Sequence, residues 1–88
     1  MTKAYTIKAQ TIRDLRDTIY HTGVELQRVS RAMIDEDTIA QVLRAQHGNC
    51  SEAEAHDNAR GRLEVEREYL IVRLTEAHRE LEQRGVEA

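Results

Sequence analysis

Proline, tryptophan and phenylalanine are absent from the 88 residues, and there is one cysteine. Without proline, no position locks φ or removes a backbone donor, so nothing obliges a helix to break. With Tyr5, Tyr20 and Tyr69 as its three aromatics, the chain must build its core from aliphatic side chains. A single thiol, Cys50, excludes an internal disulfide; with no secretory apolar segment it predicts a reducing, cytoplasmic setting. No apolar run approaches the ~18 residues that a membrane span requires. A formal charge of −3 gives no general attraction to nucleic acid or anionic lipid.

The residues present are those of long helices: rich in Ala, Leu, Glu, Arg and Gln, 40% hydrophobic and 33% charged. Charge is unevenly spread. Residues 1–34 carry six basic and three acidic side chains, whereas residues 48–88 carry six and ten. A core of Leu, Ile, Val, Ala and Met in so short a chain is marginal, and with no disulfide the expected remedy is association of copies.

The spacing predicts one all-α domain over 1–88: an antiparallel helical hairpin with a short connecting helix, assembled into a multi-helix bundle as a homo-oligomer. Residues 1–11 read as an arm or an early helix start, because Tyr5, Ile7 and Ala9 alternate like a strand with no partner strand later. Thr11 with Asp14 has capping-box form, placing the first helix at 12–34. Its seam is Ile12, Leu15, Ile19, Thr22, Leu26, Val29 and Met33, in alternating steps of three and four. Gly23 lies inside it and suggests a close helix approach or a slight bend. Asp35, Glu36 and Asp37 interrupt the register and predict a turn, with a short helix at 38–47 stopped by Gly48. Ser51 and Glu54 form a second capping-box pattern that opens a long helix at 51–84, ended by Gly85, with Val86 to Ala88 frayed.

This last helix carries two stripes. Leu63, Arg67, Leu70, Leu74, Ala77 and Leu81 line one, extended backward by Ala59 and Ala55; Val65, Tyr69 and Val72 lie nearly opposite, with Ile71 between. A helix apolar around most of its surface is normally buried all round. The expected oligomer seam is therefore Leu63, Tyr69, Leu70, Ile71, Leu74, Ala77 and Leu81.

Chemistry-bearing patterns are sparse. His47, Cys50 and His56 cluster near the hairpin turn, but the spacing matches no standard zinc site and a second cysteine is missing, so no metal is expected. Among the carboxylates, Asp14-x-x-Asp17 has helical metal-site spacing without a facing pair. No phosphate loop, nucleophile elbow or cofactor motif occurs, and no enzyme is expected. Residues 25–45 can be threaded onto a helix-turn-helix, although Asp35, Glu36 and Asp37 would repel phosphates where the second helix begins. Arg13, Arg16, Tyr20 and Arg31 fall on the side of the first helix away from its seam. Guanidinium groups around an exposed aromatic suit an acidic protein surface or an anionic, nucleotide-type ligand.

The resulting expectation is a non-enzymatic interaction protein that associates with itself and binds and modulates, in the inhibitory sense, a protein target. This is the style of small accessory proteins of phages and mobile elements. The alternatives are an oligomer that sequesters a nucleotide-type anion, and a DNA-binding regulator using residues 25–45.

Overall fold

Thr11 opens the first helix: its extended backbone places Oγ1 to accept the Asp14 amide hydrogen bond at 3.1 Å, satisfying one of the donors a helix start leaves free. The computed structural model describes residues 7–86, all helical or in short turns, with no strand among them. A 3-10 turn at Ile7–Ala9 precedes two α-helices, α1 (Ile12–His47) and α2 (Ser51–Gln83). Residues 1–6, including Tyr5, and residues 87–88 lie outside the described part.

The two long helices pack against each other. Cross-helix partners run in opposite chain directions: Leu15 packs with Ala77 and Leu81, Val29 and Met33 with Leu70, and Arg44 pairs with Asp57. The expected seam on α1 is the buried one from Leu15 onward, while its first residue, Ile12, is exposed. Leu15, Thr22, Val29 and Met33 are buried, while Ile19 and Leu26 are half-buried beside them. Among the described residues, only Leu15, Leu81 and Val29 are large side chains wholly removed from water. At about 1.5–3 kcal/mol for full burial of each such side chain, this is a thin core.

The break expected at residues 35–37 does not form; α1 continues through it to His47. The reason lies on α2. Continuing the three–four repeat from Met33 brings Glu36, Ala40 and Leu43 to the seam, and Glu36 accepts His56 Nδ1 at 2.7 Å. Asp37 pairs with Arg60 Nε at 2.9 Å. Partnered acids remove the drive to turn, and neither proline nor glycine imposes one. There is thus no separate 38–47 helix, and the turn-proximal half of the seam combines the small buried Ala40 and Ala53 with polar cross-helix pairs.

Two end structures also differ from expectation. Cys50, not Ser51, is the N-cap of α2; it makes no side-chain cap bond, and Glu54 N–H already donates to its carbonyl at 3.2 Å. At the other end Val86 is docked. Gly85 takes φ +76°, Gly85 N–H donates to Glu82 O and Val86 N–H to Leu81 O, both at 2.9 Å. This is a Schellman ending, and it lays Val86 on the Leu15–Leu81 cluster.

Arg84 closes this end. Its Nη atoms donate to Gln10 O at 2.7 Å and Lys8 O at 3.1 Å, while Nε holds Glu80 at 2.8 Å. The 3-10 turn is thereby fastened to α2, with Ile7 packed on the apolar cluster and Gln10 Oε1 accepting from Thr18.

Candidate partner-binding face

Packing of α1 on α2 through Leu15, Thr22, Val29 and Met33 leaves the opposite side of α1 to solvent. Arg13, Arg16, Tyr20 and Arg31 are all exposed there, Tyr20 at 68%. The Tyr20 ring meets His21 edge-on, with centroids 5.3 Å apart and planes at 76°. Arg13, Arg16 and Arg31 make no side-chain hydrogen bond or ion pair with a described residue.

The arginines that face α2 are differently placed. Arg28 is held by Glu25 at 3.1 Å and Glu66 at 3.2 Å, Arg60 by Asp37 and Glu64, and Arg44 by Asp57. Hydrogen bonds to these carboxylates push the Arg28, Arg44 and Arg60 pKa values upward. Their partners move the other way: hydrogen bonding from Arg28 lowers Glu25, and hydrogen bonding from Arg44 lowers Asp57. All these groups are open to water, so the pairs set cross-helix register more than stability. Their charge is committed within the chain; that of Arg13, Arg16 and Arg31 is open to a partner.

Geometry limits what that partner can be. At 1.5 Å per residue, Arg13 and Arg31 stand about 27 Å apart along α1. A single nucleotide cannot reach both ends. The concavities that Arg31 borders are shallow, one with Val24 and Asp35, the other with Gly23 and Ile34. Neither has the enclosure with which small-molecule sites bury their ligands.

The remaining candidates are dispersed. No group of three or more His, Cys, Asp or Glu among the described residues is arranged to hold a metal. His47 ends α1, Cys50 caps α2, and His56 is turned onto Glu36. Residues 25–45 form one uninterrupted stretch of α1, so the two helices and intervening turn of a helix-turn-helix are not formed there. Of the seam residues on α2, Leu70, Ala77 and Leu81 are buried against α1 of the same chain, and Leu63 and Leu74 are half-buried. Tyr69, at 62%, and Ile71, at 36%, remain open, as do Val65 and Val72.

No family model, curated protein or solved structure matches this chain. The reading of its surface rests on its own residues. Three contacts among these have no local sign in the sequence: Glu36 with His56, Asp37 with Arg60, and Arg84 with the carbonyls of Lys8 and Gln10. Each joins positions 20 or more residues apart. No helix among the described residues is long and apolar enough to cross a membrane.

Proposed function

We propose that this chain is a non-enzymatic interaction protein, a homo-oligomer of antiparallel helical hairpins that binds and inhibits an acidic protein surface through Arg13, Arg16, Tyr20 and Arg31. The observation that carries the reading is three exposed guanidinium groups, without a partner among the described residues, spread along some 27 Å of one helix face around a solvated tyrosine. Such a face is too long for a small ligand, and Arg and Tyr are among the side chains enriched at the energetic centres of protein interfaces. The marginal core of one helix pair favours association of copies.

Charge reversal and truncation test the face. Arg16→Glu combined with Tyr20→Ala lies away from the seam, so thermal melting is unchanged. A partner captured by the wild-type chain at moderate salt is lost by this variant. Equal capture by both chains would remove the face from the proposal. A nucleotide-type ligand requires enclosure from a second copy. It is tested by native mass spectrometry of the undenatured assembly, where a retained non-protein mass of a few hundred daltons would displace the protein-target reading.

A further inference from the structure

The self-association just proposed leaves open which face is covered, and the two flanks of the helix pair differ. On one, Arg28 of α1 meets Glu66 of α2; on the other, Asp37 of α1 meets Arg60 of α2. Stepping by helical repeats from Asp37 leads along α1 to Ile34, Ser30 and Gly23. The same steps from Arg60 lead along α2 to Glu64, Arg67, Ile71, His78 and Glu82. This second flank carries two large exposed apolar side chains, Ile34 and Ile71, among its charged ones. Ile34 is 65% exposed, and a groove of about 670 Å³ runs between it and Gly23 and Leu26. Gly23 has no packing role within the chain: a Cβ added there meets nothing within 4 Å.

Resting on the self-association part of the reading above, we infer that a second copy of this chain covers the Asp37–Arg60 flank in a two-fold arrangement, with α2 antiparallel to its own copy and Ile71 on the axis. Charge supports it. A two-fold contact is self-complementary, so residues equally far before and after Ile71 must suit each other. Seven residues away on either side stand Glu64 and His78; eleven away stand Arg60 and Glu82. Each pair joins an acid to a side chain that can donate to it, although Arg60 and Glu64 are also paired with each other within the chain; four residues away Arg67 faces the neutral Thr75. Arg67, His78 and Glu82 make no side-chain pair with a described residue. On α1 the small residues Gly23 and Ser30 permit the backbone of a second helix to come close.

Area supports it as well. The chain exposes 6503 Å². A folded monomer of 10.1 kDa exposes about 5,300 Å² by the usual scaling with mass. The excess exceeds the ~800 Å² that each partner gives to a standard interface.

Sedimentation analysis of the full chain tests the flank. The wild type is expected as an even-numbered assembly. Gly23→Leu raises helix propensity, so a fold defect cannot explain its effect; it is expected to keep its helicity and raise the dissociation constant about 100-fold, the scale of a lost interface centre. His78→Glu, which opposes Glu64 of the second copy, is expected to weaken association about tenfold, and adding Glu64→Arg to restore it. A monomeric wild type would overturn self-association and this flank together. An assembly indifferent to Gly23→Leu and His78→Glu would overturn the flank alone and leave self-association standing.

Discussion

Single side chains at the helix ends set where this chain starts and stops being helical, and their effects are separable. Thr11→Ala removes the acceptor of the Asp14 amide. It is expected to cost about 1 kcal/mol, read as a lower urea midpoint at unchanged slope. Leu15→Ala, at a wholly buried position against Ala77 and Leu81, is expected to cost about 2–5 kcal/mol. At this scale the sequence was highly legible. Thr11, Gly48 and Gly85 carry their structural roles in their own chemistry, so the beginning of α1 and the end of α2 could be placed from local residues, and Gly48 marked a true stop, although of a helix expected to begin only at residue 38. Cys50 could not be read as a cap, because it supplies no side-chain bond and the Ser51–Glu54 pattern beside it is the stronger local sign. Acid should act through the paired carboxylates. Asp57 is held below its ordinary value by hydrogen bonding from Arg44, so it contributes stability above about pH 4, the unfolded value. That contribution fades as pH falls through the lower folded value. Asp57→Asn should flatten this part of the acid limb in a melting series, and an unchanged limb would show that Arg44 does not hold it.

At the scale of elements, the decisive event is the passage of α1 through Asp35, Glu36 and Asp37. Three consecutive acids look like a boundary because, taken locally, they repel one another and favour a helix start. What overrides this is non-local: His56 and Arg60 arrive from α2 and pair with Glu36 and Asp37. A one-dimensional reading sees the acids and misses their partners, which explains why the apolar seam was legible and the polar pairs that continue it were not. The same logic yields a prediction. Glu36 and His56 occupy seam positions and are only partly solvated. Replacing both with Leu would continue the apolar seam toward the turn. Exchanging a half-buried polar pair for packed aliphatic side chains is expected to be neutral or to stabilise by about 1 kcal/mol. Glu36→Leu alone, which leaves His56 without its acceptor, should gain less. If the double variant melts below the wild type, this polar pair contributes stability that leucine cannot supply.

At the scale of the molecule, the question is how a pair of helices 55 Å long and 15 Å in its thinnest direction stays folded. Two layers of helix can bury one stripe each, and here, among the described residues, that stripe holds three large side chains fully out of water. Val65, Tyr69 and Val72 on α2, and Ile34 on α1, are left in solvent. The proposed assembly answers part of this: a second copy on the Ile34–Ile71 flank converts two layers into four helices around a shared core. Arg31 borders the groove that the second copy would cover, so self-association and target binding meet at this residue, while Arg13 and Tyr20 do not line that groove. Folding and assembly would then be linked, and linkage has a direct signature. When association stabilises the folded chain, the melting midpoint rises with protein concentration. Midpoints measured over a hundredfold range of concentration should rise steadily for the wild type. In Gly23→Leu they should be flat, and should start from the low-concentration wild-type value or above it, since the substitution favours the helix itself. A wild-type midpoint independent of concentration would mean that the slender pair is sufficient alone, and that its exposed apolar side chains serve the target instead.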